Sequence, residues 1–211
     1  RHTRYIGDWS SDVCSSDLGA FASIHNNQRD LLLHFADLQK SPVAHLPGSQ
    51  MTFGFAPPTL ESSGLQPLSA AEKVASEVTR LGMDVTQHML TFYAPFLNAI
   101  GAVKSSDLLA LRSHSSVLVA GVKVALQTPP VRSGRRVIFL TLDDGYGCSD
   151  STFFPDAQID HASTLYATSL LLVRGETRRT GKRGISIRAT AVWDLRVAYE
   201  KWRKQSDSVA I

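Results

Sequence analysis

Residues 115–193 read SSVLVAGVKVALQTPPVRSGRRVIFLTLDDGYGCSDSTFFPDAQIDHASTLYATSLLLVRGETRRTGKRGISIRATAVW. The punctuation of this stretch predicts five short strands. Val117–Ala125 alternates and contains Gly121. Arg136–Leu142 follows a loop holding Pro129-Pro130 and Ser133-Gly134, and Asp143–Gly147 makes a tight turn into Ser149–Phe154. A helical insert over Asp156–Tyr166 leads to Leu170–Thr177, and the loop Arg178–Gly184 leads to Ile185–Ala191. Short strands parted by Gly-rich turns at this spacing indicate a small barrel.

A helix between the third and fourth of five strands is the pattern of an oligonucleotide/oligosaccharide-binding (OB) barrel. The expected class is therefore α+β, with a small helical N-terminal part followed by a five-stranded OB-fold β-barrel. Charge falls where such a barrel would use it. Residues 115–190 hold ten Lys and Arg against six acids. The densest basic clusters, Arg132 with Arg135 and Arg136, and Arg178 and Arg179 with Lys182 and Arg183, flank strands two and five. In this fold those loops border the binding face of strands two and three. A groove of positive charge suits a polyanion; a solvated charge run on exposed turns is the plainer alternative.

On the second strand, alternation sends Phe139 and Thr141 one way and Ile138, Leu140 and Leu142 the other. The second set has the apolar character of a core. That leaves Phe139 as a platform for a stacked base, or as a ring buried under a loop or the preceding helices. On the third strand Asp150 and Thr152 share a face; Phe154 is expected to plug the barrel, and Phe153 is left on either side. The candidate nucleic-acid-binding set is Arg135, Arg136, Phe139, Thr141, Asp150, Thr152, Arg174, Arg178, Arg179, Lys182 and Arg183.

Three runs carry a family resemblance: Val119–Val122, Ser133–Gly145, and Gly147 with Thr152-Phe153-Phe154-Pro155. Together they resemble the C-terminal OB domain of bacterial DNA polymerase III alpha subunits, the C-family polymerases. The continuation Leu172–Glu176 with Arg178–Gly181 is most similar to the error-prone actinobacterial type. Upstream, Gly19-Ala20-Phe21 and the helix after it resemble the segment that follows the helix-hairpin-helix region of these subunits. The run from Glu77 through Leu81-Gly82 to His88 resembles another of their segments, with Thr86 in place of Ser and Met89 in place of Pro.

The resemblance implies a non-catalytic C-terminal fragment whose OB fold binds single-stranded template DNA in replication or error-prone repair synthesis. Protein docking onto a sliding clamp or another replication subunit is the alternative role. A Phe-x-x-Leu-x-Asp strand like Phe139–Asp144 also occurs in the anticodon-binding domain of aspartyl-tRNA synthetases. In that family the domain precedes the catalytic part, whereas here the strands come late in the chain.

Taken in order, residues 1–18 (RHTRYIGDWSSDVCSSDL) translate the indexed adapter of a short-read sequencing library. They are expected to be disordered and foreign to the fold. Without them, Cys148 is the only cysteine, which excludes an internal disulfide and a thiolate metal cluster. Residues 19–40 are read as a helical remnant of an upstream domain: Leu31, Leu32, Phe35 and Leu38 recur at helical spacing behind the capping pair Asn26-Asn27. Residues 41–68 are a Pro- and Gly-containing linker in which Met51, Phe53 and Phe55 alternate.

Residues 69–113 are short helices. One is opened by a Ser69–Glu72 capping box and stopped at Gly82; others fall near Leu90–Ile100 and Ser106–Arg112, the last capped by Ser105 or Ser106. His88 is expected to cap or pack. Residues 114–193 are the OB domain, and 194–211 a C-terminal helix or tail.

Polymerase chemistry needs clustered carboxylates holding two metal ions. In the family these lie in a palm domain upstream, with Mg²⁺ belonging to the parent enzyme; no residue here matches them. Asp143-Asp144 beside Gly145 reads as turn chemistry. No catalytic residue, metal site or cofactor is expected in this part, which should be inactive alone. No apolar run approaches the ~18 residues of a membrane span, and the expected location is cytoplasmic.

Overall fold

The computed structural model describes residues 18–19, 23, 25–40, 62–129, 136–181 and 184–209. The readings for the adapter stretch up to Asp17 and for Met51, Phe53 and Phe55 lie outside the described residues. The chain divides into two compact units, Arg1–Gln87 and His88–Ile211.

In the first unit, α1 (Gln28–Lys40) begins behind Asn27, whose Oδ1 accepts from the Arg29 N–H at 3.1 Å. α2 (Ala70–Leu81) carries the expected reciprocal cap: Ser69 Oγ accepts from the Glu72 N–H, and Glu72 Oε2 accepts from the Ser69 N–H. It ends on Gly82 at φ 76°. Glu77 is buried on α2. Burial pushes its carboxyl up, but the Thr86 hydroxyl and the Thr86 and Val85 N–H groups donate to it and hold it below its ordinary value.

The second unit is built on five strands: β1 (Ser116–Gln127), β2 (Ile138–Asp143), β3 (Cys148–Phe153), β4 (Leu170–Thr180) and β5 (Gly184–Asp194). They close a barrel in the order β1-β2-β3-β5-β4. Every pairing is antiparallel except β3 with β5. Strands rich in Val, Ile and Leu at alternate positions supply the interior. Leu140, Leu142, Phe153, Leu171, Val173 and Ile187 meet there, all almost fully buried.

β1 lies between two partners. A bulge between Lys123 and Ala125 turns it from β4 to β2. Gly121 sits at the crossing, where a Cβ would lie 2.7 Å from Leu142 Cβ. Between β3 and β4 come two short helices, α5 (Pro155–Gln158) and α6 (Ala162–Ala167), where a helical insert is expected. Leu165 of α6 is fully buried and closes one end of the barrel. Lys123 Nζ donates to the Leu165 and Tyr166 carbonyls at 2.7 and 3.3 Å, which satisfies the end of that helix.

A second apolar layer covers part of the barrel's outside. A 3-10 helix (Met89–Tyr93), α3 (Ala94–Ala99) and α7 (Leu195–Val209) pack Leu90, Phe96 and Leu195 onto Ala120, Leu170 and Leu172 of β1 and β4. Tyr93, Phe96, Tyr199 and Trp202 form a ring cluster with centroids 5.1–6.0 Å apart. Among the described residues no helix is long and apolar enough to cross a membrane.

Several expectations need correction. Phe153 fills the barrel at 0% exposure, while Phe154 is half-buried outside it. The reason is register: Thr152 pairs with outward Phe139, so its neighbour Phe153 must point in. β4 and β5 run on beyond the predicted ends because they pair with each other to Thr180 and Gly184. Arg178 and Arg179 are thus strand residues opposite Ser186 and Ile185, not loop residues. The helix expected over Ser106–Arg112 is a single turn, α4 (Ser105–Leu108). Ser105 does not cap it; its Oγ donates to Asp144 Oδ1 at 2.7 Å. His88 does cap, its Nδ1 accepting from the Leu90 N–H.

Gly175 tests this packing. It sits at a register shift in β4, and an added Cβ would lie 2.4 Å from the Arg188 carbonyl oxygen and 2.5 Å from Ile187 Cγ2. Backbone on a paired strand yields little, so Gly175→Ala should destabilise the barrel by ~1–3 kcal/mol. Urea unfolding reads this as a lower midpoint; an unchanged midpoint would contradict the close approach of β4 to β5.

Candidate nucleic-acid interface

The outer layer of helices packs on β1 and β4, and outward side chains of β2 and β3 are left exposed among the described residues. β2 presents Phe139, 43% exposed, and Thr141 outward, as alternation requires. β3 presents Asp150 and Thr152, and pairing sets Phe139 against Thr152 and Thr141 against Asp150. Thr141 Oγ1 donates to Asp150 Oδ1 at 2.7 Å, which fixes both side chains. Four of the predicted residues therefore form one continuous patch.

Arg188, absent from the predicted set, extends it. β5 runs parallel to β3 with Arg188 beside Thr152. Its guanidinium lies over the Phe154 ring, 5.3 Å from the centroid. The alternation of Ile187, Arg188 and Ala189 is the sequence signal for it, a single base outside any basic cluster. Phe154 and Arg188 line a cavity of about 240 Å³ together with Asp156 and Ala157.

The other predicted bases scatter. Arg136 is exposed just before β2, with its carbonyl accepting from Gln158 Nε2 at 2.8 Å. Arg178 is exposed near the tip of the β4–β5 hairpin. Arg179 turns to the body of the domain, where its guanidinium donates to the Leu109 carbonyl at 2.5 Å and to that of Leu111 at 3.1 and 3.3 Å. Those bonds give it a positioning role for the segment after α4. Arg174 lies on β4 opposite Leu118 and Ala191, over the Trp193 ring at 5.6 Å, away from the Phe139 patch. Arg135, Lys182 and Arg183 lie outside the described residues.

The β2–β3 turn makes the far end of the patch acidic. Asp143 Oδ1 accepts from the Gly145 N–H, and Asp144 accepts from the Tyr146 and Gly147 N–H groups and from Ser105. This is the turn chemistry the sequence indicates, joined by an unforeseen tie to α4. Among the described residues, no group of three or more His, Cys, Asp or Glu is placed to hold a metal ion.

Comparison with known proteins agrees with this geometry. Residues 117–195 match a family model described as an OB-fold nucleic acid binding domain. The error-prone DNA polymerase of Anaeromyxobacter dehalogenans is 28% identical over 159 residues, covering 75% of this chain and 14% of its own. DNA polymerase III subunit alpha of Vibrio cholerae is 28% identical over 152 residues, covering 71% of this chain and 13% of its own. Among solved structures, the S. cerevisiae mitochondrial single-stranded DNA binding protein Rim1 aligns with a TM-score of 0.32 and 16% identity, over 39% of this chain and 96% of that one. The chain thus spans about 14% of the length of the first of these relatives. It carries an OB-fold nucleic-acid-binding domain and is homologous to a part of error-prone DNA polymerases and DNA polymerase III alpha subunits.

Cys148 reports the field at the acidic end. Desolvation, then the carboxylates of Asp143, Asp150 and Asp144, push its thiol above the ordinary value although the residue is exposed. The thiolate is therefore scarce at neutral pH. With Cys14→Ser as background, Asp150→Asn should speed iodoacetamide alkylation of Cys148 near pH 8; an unchanged rate would place the Asp150 charge away from the sulfur.

Proposed function

We propose that the bare outer face of β2, β3 and β5 holds single-stranded DNA, and that this chain is a non-catalytic part of a bacterial DNA polymerase III alpha-type enzyme. In that setting it would hold template DNA during replication or error-prone repair synthesis, in the cytoplasm. The observation that carries the reading is the juxtaposition of Phe139, Thr152 and Arg188 across three strands, apart from the patch of β1 and β4 on which the 3-10 helix, α3 and α7 pack. A base stacks on an exposed ring whatever its identity, and a guanidinium one strand further meets a phosphate. Homology to polymerases over most of the chain supports DNA as the strand bound.

Binding should be weak and tolerant of sequence, micromolar or poorer, as for backbone-dominated contacts. Phe139→Ala should cost ~1–3 kcal/mol of affinity and leave the salt dependence nearly unchanged, because no phosphate contact is lost. Arg136→Ala with Arg188→Ala should instead flatten the log–log salt slope, by about 0.7 for each phosphate contact removed. Fluorescence anisotropy of a labelled oligonucleotide at two salt concentrations reads both effects. A face that docks a sliding clamp or another replication subunit predicts neither: oligonucleotide titrations would then be indifferent to all three substitutions, which would overturn the reading.

A further inference from the structure

We infer that single-stranded DNA has a second contact on this domain, in the groove between α7 and the outer surface of β4 and β5. The inference rests on the reading that the domain binds single-stranded DNA, but it concerns a different surface. The groove encloses about 650 Å³. Its floor is apolar, from Leu118 and Leu172; its walls carry Trp193, Trp202, Arg174 and Lys201.

Three observations select the occupant. Trp193 is 39% exposed at the end of a strand, with room for a flat partner on its open side. The Arg174 guanidinium lies 5.6 Å from its centroid, so an indole and a cation are already paired. Asp194, the one carboxylate among the described lining residues, is turned to the start of α7: Oδ1 accepts from the Arg196 and Val197 N–H groups at 2.8 and 3.4 Å, and Arg196 Nε lies 3.9 Å away. No described carboxylate forms an ion pair with Arg174 or Lys201. A cleft with an apolar floor, an exposed indole and two cations that form no ion pair among the described residues is complementary to a ligand that is flat and anionic. Single-stranded DNA offers both properties at every nucleotide. An aliphatic helix would leave the cations unanswered, and an acidic peptide would leave the indole without a stacking partner.

The arrangement also explains why Arg174 lies apart from the Phe139 patch. Along the outside of β5, Arg188 beside Thr152 and Trp193 five residues on are roughly 16 Å apart at ~3.3 Å per residue. A short oligonucleotide would occupy one surface, and a longer one would reach both.

The full chain supplies its own probe, because Trp193 is one of three tryptophans. In a Trp9→Phe background, oligo(dT) should quench the remaining tryptophan fluorescence, and Trp193→Phe should remove most of that quench. Lys201→Glu alters charge at an exposed position and leaves the packing alone. It should weaken binding of a long oligo(dT) by at least about fivefold and leave a short one, held at Phe139, much less affected. If Phe139→Ala weakens both lengths while Trp193→Phe and Lys201→Glu change neither quench nor affinity, the groove is not a DNA site and the β2–β3–β5 face stands alone. If the groove variants weaken binding and Phe139→Ala does not, the groove stands and the proposed face falls. Indifference to all of them overturns both and leaves the groove to a protein partner.

Discussion

Everything in the second unit depends on β1 serving two partners. Ser116–Val122 pairs with β4, and Val122–Gln127 pairs with β2, so the strand must turn at Val122 without losing its ladder. The bulge at Lys123–Ala125 provides the turn, and Gly121 provides the room. Closure then fixes which outer surfaces are equivalent. The first half of β1 shares its outside with β4, and there Ala120, Leu170 and Leu172 are apolar and covered by helices. β2 and β3 fall on the other side, where Phe139, Thr141, Asp150 and Thr152 are polar or aromatic and uncovered. The bulge therefore decides which outer surface of the barrel the helices cover and which outward side chains of β2 and β3 stay exposed.

The fold was largely legible because it rests on local signals. Strand alternation, turn residues and the helical insert each speak within a dozen residues, and all five strands appear in the expected order. What was not legible depends on pairing. Nothing local says that β4 and β5 continue past the core, because the stabilising partner of Arg178 and Arg179 is another strand. Phe153 and Phe154 are adjacent and chemically alike, so only the cross-strand register assigns one to the core.

The candidate face divides along the same line. Phe139, Thr141, Asp150 and Thr152 were readable because period-two alternation on neighbouring strands is enough to gather them. The bases were harder. Counting charge along the chain favours loops, where Lys and Arg cluster, yet clustering in sequence does not place guanidinium groups on one surface. Arg179 lies in the densest run and is tied to carbonyls of Leu109 and Leu111. Arg188 stands alone between Ile187 and Ala189, and reaches Thr152 only through the parallel β3–β5 pairing that closes the barrel.

The resulting face is polar from end to end in a particular direction. Arg136, just before β2, and Arg188, beside Thr152, lie toward one end, and the Asp143–Asp144 turn marks the other, with Arg178 opposite Ser186 between them. The turn acids are not equivalent, however. Asp144 uses its oxygens on Ser105, Tyr146 and Gly147, and Asp143 holds the Gly145 N–H, so both are committed to the turn itself. Asp150 is held by one bond, from Thr141, and its second oxygen has no partner among the described residues. It sits one register step from the Phe139–Thr152 pair. On the proposed reading, a base stacked on Phe139 would have Asp150 close by as an acceptor for an exocyclic amino group. On the proposed reading, the same charge would repel a phosphate there and favour one nearer Arg188.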